Sequence, residues 1–190
     1  MNRTHLSLAL TAAAVAALTL SAEDFRPLMK TTHTTWPDKQ HIGVICDYRA
    51  SEEQVKALAA AAGEGYRITV ADTHNGEKAN FAATLLADRH ADYLVLMPGD
   101  PVFREGSFNA SVAVYRLAAK GVPSIGTTPV ALKQGAVFSV GEGTSGHILV
   151  NDQLIGTVHV ILPDEVKESE KGALVLEQKG MATISVHPAE

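Results

Sequence analysis

From residue 41 onward, short runs of consecutive apolar residues alternate with longer stretches whose apolar positions recur every three or four residues. The first pattern is that of a buried strand, the second that of an amphipathic helix. Residues 41–47 (HIGVICD) predict a first strand. A helix is expected next, with Ser51 as its N-cap, Ser51 through Gln54 as a capping box, and Glu52 and Glu53 where the helix dipole favours acid. Val55, Leu58, Ala59 and Ala62 mark its inward face, and Gly63 and Gly65 stop it. Residues 66–71 (YRITVA) predict a second strand, and residues 77–90 a second helix with Phe81, Leu85 and Leu86 inward. Residues 91–97 (ADYLVLM) carry the strongest strand pattern in the chain, ended by Pro98-Gly99-Asp100-Pro101. A third helix over 108–120 closed by Gly121, a strand over 122–127, a short helix over 129–134 opened by Pro129, and a strand over 136–140 follow.

Such alternation builds βαβ units on a parallel sheet. The expected fold class is therefore α/β: a doubly wound, mostly parallel, Rossmann-like sheet. After Gly146 the alternation loosens. Residues 147–150 predict a strand, and Asn151 opens either a short helix or, with Asp152, a hairpin into 154–162. Residues 172–176 and 181–186 are expected to pair as a C-terminal β-hairpin around Gln178-Lys179-Gly180. Residues 23–40 show no period of either kind and read as an extended lead-in closed by Pro37 and Asp38.

The first 22 residues change the picture of where the protein works. Arg3 precedes an apolar run over 6–20 that is short for a membrane span, and Leu20-Ser21-Ala22 offers a small residue for cleavage. A secretory signal over 1–22 and a periplasmic protein beginning near Glu23 are expected, with residues 41–190 as one α/β domain. Hydrophobic residues make up 46% of the chain and aromatics 5%, so the core is aliphatic. The formal net charge is −5, and loss of residues 1–22 removes Arg3 and no acid. That acidity argues against nucleic acid and against direct contact with anionic membrane; a membrane is reached only through a partner. Cys46 is alone, so no intrachain disulfide forms, and its apolar strand marks it as a buried small hydrophobe.

Ligands of doubly wound sheets bind beyond the carboxyl ends of the strands, near the reversal of strand order. The loops concerned are Asp47-Tyr48-Arg49, Asp72-Thr73-His74, residues 98–103, Gly126-Thr127-Thr128 and residues 141–145. Gly99 permits close backbone approach, and Asp100 is the carboxylate placed to take an amine or hydroxyl, or else part of a plain Pro-Gly-Asp-Pro turn. Thr127 and Thr128 precede Pro129 at a helix start, where an anion fits or Thr128 simply caps. The ligand-binding set expected is Asp47, Tyr48, Arg49, Gly99, Asp100, Phe103, Thr127 and Thr128. Residues 141–146 are glycine-rich but lack the Gly-Lys-Ser/Thr ending of a phosphate loop. Seven histidines remain after residue 22 with no i, i+4 pair, so neither a metal nor a cofactor is expected. No Gly-x-Ser-x-Gly elbow and no exposed thiol is evident, and the chain reads as a binder rather than an enzyme.

From about residue 41 to 166 the chain resembles the ABC-transporter substrate-binding proteins of the type I periplasmic-binding branch. The resemblance lies in Met97-Pro98-Gly99-Asp100-Pro101-Val102-Phe103 after a strand, in residues 117–126 (LAAKGVPSIG), in residues 131–140, and in Ile148-Leu149-Val150-Asn151 followed by residues 161–166 (ILPDEV). It implies one lobe, the C-terminal one, of a protein whose two lobes close on a ligand. A fainter likeness, including Trp36-Pro37 before the first strand, is to small periplasmic proteins that repress membrane diguanylate cyclases. Two functions follow as expectations: a periplasmic lobe that binds a small molecule, or a regulator acting on the outer part of a membrane sensor such as a diguanylate cyclase or kinase. Because a single lobe leaves a small ligand exposed, a homodimer or a complex with a partner is expected, with the terminal strands as the joining edge.

Overall fold

A computed structural model of the chain describes residues 25–140 and 148–151, together with the backbone of three short strands further on. Five helices and nine strands occur among the described residues: α1 (Arg26–Thr35), β1 (His41–Cys46), α2 (Tyr48–Ala62), β2 (Arg67–Asp72), α3 (Ala79–Asp88), β3 (Tyr93–Val95), α4 (Phe108–Ala118), β4 (Ser124–Gly126), α5 (Val130–Lys133), β5 (Phe138–Val140), β6 (Ile148–Asn151), β7 (Val166–Glu168), β8 (Leu174–Leu176) and β9 (Ile184–His187). A single turn of 3₁₀-helix, Gly76–Lys78, leads into α3 and is capped by the Asn75 side chain.

The strands form one sheet in the order β2-β1-β3-β4-β5-β6-β9-β8-β7. The first five are mutually parallel, β6 runs antiparallel to β5, and β9 returns parallel to β6. β8 and β9 are antiparallel, Val175 facing Ser185, which is the expected C-terminal hairpin. Both of its strands lie inside the sheet, however, so the edge anticipated there falls to β7. The chain is α/β and doubly wound, as the alternation predicts, with the strand order reversing between β1 and β3.

Burial on both faces explains why the strand sequences are apolar throughout rather than alternating. Tyr93, Val95 and Met97 point to one face, where Phe25, Leu28, Met29 and Trp36 pack with Val55 and Leu58 of α2. Leu94 and Leu96 point to the other, against Ala82, Ala83 and Leu86 of α3 and Ala110, Ala113 and Leu117 of α4. Alanine at these contacts lets backbones approach closely. Gly43 extends the same logic: a Cβ there would lie 2.9 Å from Leu86 Cδ1 and 3.2 Å from Ala91 Cβ.

Three expectations are corrected. Residues 26–35 are helical, not extended. Of the threonines that hid the period, Thr31, Thr32 and Thr35 are buried, and Thr32 Oγ1 donates to Leu28 O at 2.8 Å, satisfying its hydroxyl within the helix. Ser51 does not cap α2, which begins at Tyr48 with Asp47 at the N-cap position; Ser51 is buried and donates to Asp100 instead. Phe81 is 69% exposed, since the inward face of α3 is made by its alanines and Leu86. The expectations for residues 1–22, 141–145 and 152–162, and for the turn at 178–180, fall outside the described residues.

Candidate functional site

The loops after β1 and β3 diverge at the reversal of strand order, and the crevice between them is where this architecture takes ligands. Here it is bridged from within. Asp100 is 0% exposed. Its Oδ2 accepts from Asp47 N at 2.8 Å and Ser51 Oγ at 2.6 Å. Its Oδ1 accepts from Val102 N at 2.8 Å and Phe103 N at 2.5 Å. One carboxylate thus closes its own turn and ties that turn to the first turn of α2. Of the two readings open for Asp100, ligand carboxylate or turn, these contacts are those of a turn: both of its oxygens accept hydrogen bonds from within the chain. Phe103 is likewise buried, packed in the α3–α4 core, and unavailable to a ligand.

A second buried carboxylate organises the next loop. Glu105 Oε1 accepts from Thr127 N at 2.5 Å and Thr127 Oγ1 at 3.0 Å; Oε2 accepts from Thr128 N at 2.9 Å and from the Thr128 hydroxyl. Where an external anion or a Thr128 cap was the choice, the donors of Thr127 and Thr128 meet a carboxylate of the chain itself. Burial raises the Glu105 pKa, and these four hydrogen bonds oppose the rise. Gln134, at the end of α5, fastens the same loop by accepting from Gly106 N at 2.7 Å and donating to Ser107 O at 2.9 Å. Sequence reasoning missed Glu105 because an acid beside Arg104 and Gly106 looks like solvated loop. Its one signal is a pair of threonine hydroxyls and amides that need an acceptor.

What remains outward at the strand ends is Tyr48 (37% exposed), Arg49 and Gly99, with Asp47 and Thr128 half-buried. Tyr48 N donates to Asp72 Oδ1 at 2.9 Å, fixing the start of α2 against the end of β2. Of the expected set, Asp47 and Asp100 are in direct contact; Thr127 and Thr128 are joined through Glu105. Asp72, Asp47 and Asp100 all lie close enough to Cys46 to add to the effect of burial, which pushes its thiol up to about 12. Among the described residues, no group of three or more His, Cys, Asp or Glu side chains is placed to hold a metal ion. None of the described helices is long and apolar enough to cross a membrane.

No protein-family model matches the chain, and no curated protein matches it. Solved structures do. A conserved domain protein from Vibrio cholerae O1 biovar El Tor aligns with a TM-score of 0.62 and 12% identity, over 73% of this chain and 56% of its own. The ABC domain in complex with L-Trp from Streptococcus pneumoniae aligns with 0.62 and 13%, over 72% and 55%. A substrate-binding protein with adhesive properties from Clostridium difficile, in its ligand-free open form, aligns with 0.61 and 16%, over 85% and 59%. The likeness is one of fold: the α/β sheet of this chain is similar to part of each of these structures, one of them a substrate-binding protein. The chain spans little more than half the length of these neighbours.

Proposed function

We propose that this chain is an exported binding lobe, not an enzyme, that takes a small amphipathic molecule of amino-acid size on its strand-end shelf. The observation that carries the reading is the locking of the shelf from below. Asp100 and Glu105 fix the loops while Tyr48, Arg49, Gly99 and Thr128 stay accessible. Surfaces held by buried partners lose little freedom on binding, which favours affinity. Arg49 suits a carboxylate, the Tyr48 ring an apolar side group, and Gly99 a close main-chain approach. The L-Trp held by one structural neighbour is a ligand of that chemistry.

Calorimetric titration with L-amino acids, L-Trp first, tests this. Binding that falls at least tenfold in Arg49→Ala, with an unchanged melting temperature, is expected. Absence of binding by every amino acid, or wild-type affinity in both Arg49→Ala and Tyr48→Ala, would refute it. Export is tested separately by cell fractionation and N-terminal sequencing, with a start at or near Glu23 in the periplasmic fraction expected.

One observation favours the second reading, a regulator of a membrane sensor. Phe108 and Tyr115 are 81% and 71% exposed on α4, beside a groove of about 530 Å³ that also takes in Val112 and Asn80. Exposed aromatics one above another on a helix suit a protein partner. Loss of binding to the outer part of a membrane cyclase or kinase in Phe108→Ser, with amino-acid titrations blank, would select this reading.

A further inference from the structure

β2 pairs with β1 on one side and, among the described residues, with nothing on the other. Its register is unbroken from His41↔Arg67 to Cys46↔Asp72, so no bulge twists it away. Arg67 N donates to Gln40 O, and Thr73 N to Cys46 O. By strand alternation the main-chain groups of residues 67, 69, 71 and 73 face β1, and those of Ile68, Val70 and Asp72 face outward. Edge strands are ordinarily guarded by proline, a bulge or an inward charge. Between Arg67 and Asp72 the sequence is Ile-Thr-Val-Ala, with none of these. Ile68 and Val70 are half-buried and line a groove of about 690 Å³ with Val55 and Ala59 of α2, while Tyr66 and Asp72 lie at its two ends.

We propose that β2 is a dimer strand, pairing antiparallel with β2 of a second copy about a two-fold axis through Thr69 and joining two sheets into one. Residues that face each other across such an axis share a sheet face, so the axis passes through a residue. Through Thr69, Ile68 faces Val70 of the partner subunit, and Tyr66 faces Asp72 of the partner subunit, a phenol against a carboxylate. The two copies of Arg67 are then offset by four residues, roughly 13 Å along the ladder, beyond a Debye length. An axis through Val70 sets Ile68 against Asp72 of the partner subunit instead, an apolar side chain against a charge. The Thr69 hydroxyl is held by His41 Nε2 at 2.7 Å, which leaves its methyl group for the axis. The edge meets the strand-end shelf at Tyr48, which lines the same groove and whose N–H donates to Asp72, but the pairing uses the main chain of β2 and is read by oligomeric state without any shelf ligand.

The full chain without residues 1–22 should sediment as a dimer. Facing Thr69 residues form a non-hydrogen-bonded pair with Cα atoms about 4.5 Å apart, within reach of a disulfide. Thr69→Cys should therefore give a covalent dimer on mild oxidation, which wild type, whose only cysteine is the buried Cys46, should not. Val70→Pro removes an outward N–H and should give a monomer. Val70→Lys, which keeps the backbone intact, should do the same with an unchanged circular dichroism spectrum. A monomeric wild type would overturn the proposal. So would a dimer that persists in folded Val70→Lys, or a Thr69→Cys chain that cross-links no faster than Glu64→Cys.

Discussion

Asp100→Ala is the sharpest test of the site's construction. The substitution removes the acceptor for Asp47 N, Ser51 Oγ, Val102 N and Phe103 N at once. Ser51 and Phe103 are 1% and 2% exposed, so water cannot readily replace the carboxylate at those two donors. A buried donor left unsatisfied costs about 1–3 kcal/mol, and hydrogen bonds to a charged acceptor are at the strong end of the range. Counting the two buried donors in full and the two half-buried ones in part, the loss should be about 3–5 kcal/mol. For a domain of this size that corresponds to a fall in melting temperature of about 6–20 °C. Asp100→Asn keeps one oxygen acceptor and should lose roughly half as much. Urea denaturation followed by circular dichroism, with m held constant across variants, measures both. A loss below about 1 kcal/mol in Asp100→Ala would refute the view that this carboxylate holds the β3 loop to α2. Ligand affinity lost without loss of stability would restore Asp100 to the binding surface.

Gly126→Ala would place a Cβ 2.1 Å from Ala131 Cβ and 3.0 Å from Glu105 Oε1. A loss of about 1–3 kcal/mol or more is expected by chemical denaturation, and a neutral result would contradict the close packing of β4 on α5. The Cys46 thiol should resist thiol reagents at mildly alkaline pH until the chain is unfolded, because burial and three nearby carboxylates disfavour the thiolate. Labelling of the native protein as fast as of the urea-unfolded chain would count against it. His33 stacks on Tyr66 at 4.6 Å, its Nε2 is buried without a partner, and burial lowers its pKa from 6.5. The unfolded chain therefore binds the proton more tightly. This contribution to stability is complete above 6.5 and is lost as pH falls toward the lowered value. His33→Phe, which keeps the stack, should flatten the melting temperature against pH just below 6.5; a profile as steep as wild type would refute it.

The parallel sheet was legible in the sequence because strands buried on both faces must be apolar throughout, as residues 91–97 are. The bodies of α2 and α4 were legible because their alanines, valines and leucines recur at helical spacing, although α2 starts at Tyr48 and not after Ser51. α1 was not, because its inward face mixes Leu28 and Met29 with Thr31, Thr32 and Thr35. Threonine in a pattern looks polar until tertiary packing covers it, and at Thr32 the hydroxyl turns back on the helix. The strand-end loops were also legible, as proline, glycine and aspartate after apolar runs. The direction in which Asp100 points was not. A Pro-Gly-Asp-Pro turn is compatible with a carboxylate facing solvent or facing Ser51, and only the approach of α2 to the β3 loop, residues far apart in the chain, decides between them. Glu105 was invisible for the same reason: its four donors come from Thr127 and Thr128, more than twenty residues away, and no local pattern records that approach. Composition and period together determined that this chain builds a doubly wound sheet. Which carboxylates close its loops, and which residues are left for a ligand, followed only from the packing of those loops on one another, because hydrogen bonds across a fold depend on distances that sequence spacing does not encode.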